Sequence, residues 1–72
     1  MTKVRVNVVW KCSAYEKLLK RFPKIEIYRD SNFYYIDLKN RNGASKYPKD
    51  HWSLDAALQH IVDYETEDYG AL

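Results

Sequence analysis

The residues of this 72-residue chain with chemistry suited to catalysis or metal binding are two histidines, one cysteine and ten carboxylates. A zinc site needs cysteines and histidines at short, characteristic spacings. His51 and His60 have no cysteine or carboxylate placed so as to mark one. His51 falls in a loop, and His60 at a helical position beside an apolar stripe. Cys12 stands just before a helix N-terminus, where a thiolate is somewhat stabilised. Without a placed base it reads as a small apolar side chain, buried or half-buried. With two glycines in all, there is no glycine-rich loop to cradle phosphate. The expectation is a protein that is not an enzyme, with no catalytic residues, no metal site and no cofactor.

Residues suited to recognition are more numerous. Seven tyrosines suit half-buried positions, because each buries a ring and keeps a hydroxyl wet. Tyr28, Phe33 and Tyr35 fall on period-two segments with Lys39, Arg41 and Lys46 close by. Such rings can stack on bases or pack in a protein interface. They can also do no more than stabilise a sheet, with the lysines guarding its edge. A second group, Lys17, Lys20, Arg21 and Lys24, recurs at helical spacing. It forms a one-signed ridge able to follow a phosphate backbone, or the ordinary wet face of an amphipathic helix. Asp63, Glu65, Glu67 and Asp68 crowd the C-terminal end.

These groups need elements to position them. Residues 3–10 alternate, with Val4, Val6, Val8 and Trp10 on one face and Lys3, Arg5 and Asn7 on the other, which predicts a half-buried strand. Ser13–Glu16 reads as a capping box opening a helix. Tyr15, Leu18, Leu19 and Phe22 form its apolar stripe, and Pro23 stops it. Strands follow at Lys24–Arg29 and Phe33–Lys39, joined at Asp30, Ser31 and Asn32. Asn42-Gly43 signals a two-residue hairpin loop leading into Ala44–Tyr47, which Pro48 closes. Ser53 caps a second helix with Leu54, Ala57, Leu58 and Ile61 inward. Its acidic end opposes the helix dipole and should fray from about residue 65.

The turns set the registers. Tyr28 pairs with Tyr35, Ile27 with Ile36 and Ile25 with Leu38. A two-residue loop at Asn42-Gly43 pairs Arg41 with Ala44, Lys39 with Lys46 and Leu38 with Tyr47. Ile25, Ile27, Ile36, Leu38 and Tyr47 then share the core face. Glu26, Tyr28, Phe33, Tyr35, Asp37, Lys39 and Lys46 share the other, and Lys39 opposite Lys46 would suit an anion between them. The fold class expected is α+β in the order β-α-β-β-β-α, a small antiparallel sheet with two helices on one face, in a single domain. Leu19, Phe22, Ile27, Ile36, Leu58 and Ile61 are the expected core.

Composition agrees with such a domain. The chain is 46% hydrophobic and 31% charged, too rich in apolar and aromatic residues for whole-chain disorder. It is small enough that a deep pocket is not expected. A single cysteine and no apolar leader or spanning stretch point to a cytoplasmic protein without membrane contact. Net charge is only +2, but all twelve Lys and Arg lie in residues 1–49, and residues 50–72 carry six acids. The chain is electrically two-ended.

The aromatic strand Phe33–Leu38, the Asn-Gly turn, and Trp52-Ser53-Leu54-Asp55-Ala56-Ala57 opening the last helix resemble, in layout, two kinds of DNA-binding module. One is the three-stranded-sheet-plus-helix module at the N-termini of phage-type integrases; the other is the related plant DNA-binding domain. The resemblance covers 24 to about 65. It implies a sheet that enters the DNA major groove with a helix packed behind. The leading strand and helix depart from it. With the first helix, the layout also looks like a double-stranded-RNA-binding domain, but no lysine falls in Ser53–Glu65. The size and economy are similar to those of small phage proteins that block host enzymes or defence complexes. No single family follows from motifs this general. The functional expectation is a phage or mobile-element protein binding nucleic acid through the sheet face. The alternative is an inhibitor or adaptor that binds a host protein. No small-molecule substrate is evident.

Overall fold

The computed structural model describes residues 2–40 and 43–70, with side chains described for 2–40 and 43–64. Its elements run β1 (Val4–Arg5), α1 (Ser13–Arg21), β2 (Glu26–Arg29), β3 (Phe33–Asp37), β4 (Ala44–Pro48) and α2 (Leu54–Gly70). The strands form one antiparallel sheet in the order β1-β2-β3-β4. This is the expected α+β fold in the expected order. Arg41, and Asn42 of the expected turn, lie outside the described residues. So do the side chains of Glu65, Glu67 and Asp68; the backbone of α2 runs on as helix to Gly70, so the fraying expected from about residue 65 does not interrupt it.

Alternation makes the two faces. Ile27 and Ile36 face each other across β2 and β3 and are buried, as are Ile25 and Leu38 just beyond the strand ends. Ala14 and Leu18 of α1, with Leu54, Ala57, Leu58, Ile61 and Val62 of α2, close over them as one core. Both helices therefore cover one face of the sheet. Ser53 caps α2 as expected, its Oγ accepting from the Ala56 N–H at 3.2 Å.

Several boundaries differ from expectation. β1 is two residues long, although the Val6 N–H still donates to the Ile27 carbonyl at 2.8 Å. β2 begins at Glu26, so beyond Asn7 the leading segment has no strand to pair with. Val6 and Val8 still pack on the core, but Val4 and Trp10 are exposed. The Trp10 Nε1–H instead donates to Asp55 at the start of α2, at 3.0 Å. Helix α1 opens one residue earlier than a Ser13 cap would require. Cys12 takes the cap position without a side-chain bond, and its side chain is buried. The buried stripe is then Ala14 and Leu18, flanked by Tyr15 and Phe22, which turns Leu19 out to 39% exposure.

The β3–β4 connection departs most. Asp37 accepts the Lys39 N–H at 2.8 Å, and Lys39 takes a φ of 60°. This turn ends β3 two residues early, at Asp37, while β4 opens at Ala44, so no two-residue turn joins the strands. Gly43, at φ 75°, returns the chain to β4. The pairs become Tyr35 with Lys46 and Tyr34 with Tyr47, not Lys39 with Lys46 and Leu38 with Tyr47. The shift is four residues. Side chains alternate with period two, so an even shift leaves every β4 residue on its expected face.

Candidate nucleic-acid interface on the open sheet face

The face turned away from the helices is uncovered, because β1 extends the sheet beside β2 instead of lying across it. Pairing sets one row straight across all four strands: Arg5, Tyr28, Tyr35 and Lys46. The two tyrosines occupy the central strands and the two cations the outer ones. Phe33 stands two residues from Tyr35 on the same face, with ring centroids 6.2 Å apart.

The tyrosine hydroxyls are tied in opposite directions. Tyr28 donates to Glu26 at 2.8 Å, and Tyr35 donates to Asp30 at 2.6 Å. Glu26 and Asp30 lie at opposite ends of β2, so the two rings splay apart along the strands. This explains why Tyr35 meets Phe33. Cations settle over the rings. Lys3 Nζ lies 4.0 Å from the Tyr35 centroid, Lys46 Nζ 4.6 Å from Phe33, and the Arg5 guanidinium 5.7 Å from Tyr28. Each sits where the negative face of a ring attracts it.

Three carboxylates share the face. The hydrogen bond from Tyr35 and the backbone N–H groups of Asn32 and Phe33 hold the Asp30 carboxyl down at about 2, and the same Tyr35–Asp30 bond raises the tyrosine. The Tyr28 hydrogen bond and Lys39 lower Glu26. Lys39 bridges Glu26 at 3.1 Å and Asp37 at 3.4 Å, and the hydrogen bonds it donates to those two carboxylates raise its pKa. The expected anion site between Lys39 and Lys46 does not form, since Lys39 is committed to two carboxylates and Lys46 stands opposite Tyr35.

Of the expected site residues, the sheet gathers Tyr28, Phe33, Tyr35 and Lys46 on one surface and Lys39 at its rim. Arg41 lies outside the described residues. Lys17, Lys20, Arg21 and Lys24 are exposed; the first three lie on α1, which packs on the other face of the sheet, and Lys24 lies in the connection to β2. The expectation omitted Lys3, Arg5 and Asp30. Lys3 and Arg5 share one face of the leading segment by simple alternation. Recognising them needed only the knowledge that this segment pairs with β2. Asp30 follows from an acid two and three residues before amides that close a turn.

Elsewhere, Tyr47, Trp52 and His60 form a ring cluster, with centroids 5.1–6.0 Å apart. It borders an open cleft between β4 and α2 lined by Leu38, Ile61 and Tyr64. Among the described residues, no three His, Cys, Asp or Glu side chains converge as a metal site would need, and no helix is long and apolar enough to cross a membrane.

No protein-family model, no curated protein and no solved structure matches this chain.

Proposed function

We propose that this protein binds single-stranded nucleic acid on the open face of its sheet. The row Arg5, Tyr28, Tyr35 and Lys46 carries the reading: two rings on the central strands, flanked by cations on the outer ones. Bases of a single strand stack on such rings while the phosphates run to the flanking cations. The lysines now over Tyr35 and Phe33 do not block this. An exposed cation–ring contact is worth about 0.5–1 kcal/mol, and a stacked base about 1–3 kcal/mol. A base therefore displaces Lys3 or Lys46, and the freed ammonium becomes available to the adjoining phosphate. Glu26 and Asp30 orient the rings through their hydroxyls. Recognition of this kind is tolerant of sequence, since every base has a π-face.

Duplex insertion of the integrase kind is less favoured on this face. Glu26, Asp30 and Asp37 stand among Lys3, Arg5, Lys39 and Lys46, and the net positive charge is too small for a major-groove reader. The same mixture of charges supports the second reading, a host-protein inhibitor or adaptor, because tyrosine and arginine anchors with a polar rim suit a protein interface. A single free thiol, Cys12, fits a reducing compartment such as the cytoplasm. The small sheet-plus-helix plan fits a phage or mobile-element protein.

Capture from lysate with and without nuclease separates the two readings, followed by titration of an oligothymidine. Saturable oligothymidine binding that Tyr28→Ala weakens supports the proposal. A partner retained after nuclease, with no oligothymidine binding, sinks it in favour of the protein reading.

A further inference from the structure

Ala14 and Leu18 fasten α1 to the inner face of the sheet, on the side of Ile27 and Ile36. Lys20 stands about 200° round the helix from Leu18, and Lys17 lies between Lys20 and the buried stripe. Lys20 is thus turned away from the sheet, with Lys17 on the outer flank of α1, and the sheet lies between that helix and the tyrosines. The molecule measures 22 Å along its shortest axis. A strand lying on the tyrosine face cannot also lie along the ridge, yet both surfaces can be occupied at once.

The chemistry of the two surfaces differs. The sheet face offers rings and nearly balanced charge. The ridge offers Lys17, Lys20, Arg21 and Lys24, all exposed, with Glu16 the helix's one acid. Among the described residues no carboxylate pairs with Lys17, Lys20 or Lys24. The helix dipole accounts for cations in the last turn, Lys20 and Arg21. It accounts less for Lys17, about one turn before the helix ends at Arg21, and not for Lys24, beyond the helix. The helical part of the ridge, 17 to 21, is about 6 Å long and Lys24 carries it past the helix end, while a duplex presents a phosphate charge about every 1.7 Å. A membrane surface fits less well. A helix lying on lipid needs large apolar side chains beside its cations, and Leu19, the exposed apolar residue of α1, projects from the opposite flank.

We infer that the α1 ridge, Lys17, Lys20 and Lys24 with Arg21 beside them, is a second binding site, for the phosphate backbone of duplex nucleic acid. The protein then bridges a single strand on its sheet to a duplex on its helix. The bridging rests on the function proposed above; the duplex site does not.

The test uses the whole chain, a bead-bound oligothymidine and a fluorescent 20-base-pair DNA duplex. The wild type should carry duplex onto the beads. The K17Q/K20Q/K24Q variant should lose duplex binding by tenfold or more, with its salt slope flattened by about three units. Its oligothymidine affinity should change less than twofold, and K17R/K20R/K24R should restore the duplex. The Y28A/Y35A variant should do the reverse. If Y28A/Y35A leaves oligothymidine binding intact while the ridge variant still loses duplex, the sheet reading fails and the ridge site stands. Undiminished duplex binding by the glutamine variant would overturn the ridge assignment. So would displacement of duplex by oligothymidine, or tighter binding to phosphatidylserine vesicles than to duplex.

Discussion

The Asp30 carboxylate accepts three hydrogen bonds: Asn32 and Phe33 N–H on Oδ1, both at 2.8 Å, and the Tyr35 hydroxyl on Oδ2 at 2.6 Å. One side chain therefore both shapes the β2–β3 turn and aims a ring of the open face. All three bonds favour the charged form, which is why the group titrates near 2 instead of 3.8. Its folded ionisation lies below the unfolded one, so its contribution to stability is complete above about pH 4 and is lost as pH falls towards 2. Tyr35→Phe removes the largest of the three influences and keeps the ring. The Asp30 carboxyl should then titrate measurably higher, part of the way back to the ordinary value, because the two amide bonds remain. A carboxyl-carbon NMR titration reads this directly. An unmoved Asp30 would mean that the amides alone hold it down. If the hydroxyl's role is to orient the ring, oligothymidine binding should weaken less in Tyr35→Phe than in Tyr35→Ala.

Elements of this fold are secured by few side chains, which makes their contributions separable. Leu18 is 2% exposed and its neighbour Leu19 is 39% exposed, on the same helix and of identical chemistry. Leu18→Ala should cost about 2–5 kcal/mol, and Leu19→Ala should stay near the ~0.5 kcal/mol of surface changes. Urea unfolding of the pair measures the difference, and equal losses would mean that α1 is rotated from its placement here. Ile36, wholly buried on β3, should behave like Leu18. The strand faces, the β2–β3 register and the Ser53 cap were legible because alternation and a short turn leave one solution. The rotation of α1 was not. Tyr15, Leu18, Leu19 and Phe22 fit helical spacing as well as Ala14 and Leu18 do, and only packing into the core shared with α2 and the sheet selects between them. The β3–β4 connection departs from the strong local signal of Asn42-Gly43 because Asp37 pre-empts it, turning the chain at Lys39 before the glycine is reached. The faces stay intact only because the resulting shift is even.

At the scale of the whole molecule, the sheet separates two surfaces whose residues are mixed along the chain. Lys3, Arg5 and Lys46 reach the tyrosine face from the two edge strands, while Lys17 and Lys20 lie on α1 behind it. The tyrosines of the candidate site and Lys46 could be read from the sequence, but the flanking cations Lys3 and Arg5 could not. Lys3 and Arg5 become neighbours of Tyr28 and Tyr35 only through pairing between segments more than twenty residues apart. This arrangement makes a quantitative expectation for the proposed single-strand site. Three phosphate contacts, from Lys3, Arg5 and Lys46, imply a log–log salt slope of about −2 for oligothymidine binding, since single strands release about 0.7 counterion per contact. Replacing all three with Gln should flatten that slope to near zero and leave the stacking component. Residual binding should then persist, insensitive to salt. Tyr28→Ala or Tyr35→Ala should instead weaken binding about 5- to 150-fold, the equivalent of one lost stack, with the slope unchanged. Fluorescence anisotropy at several salt concentrations resolves both quantities for each variant. If the triple variant keeps the wild-type slope, the phosphates are held elsewhere. If both tyrosine variants bind like the wild type, no base rests on the sheet, and the open face belongs to a protein partner, where these rings would act as anchors and the rim charges would mainly set the rate of association.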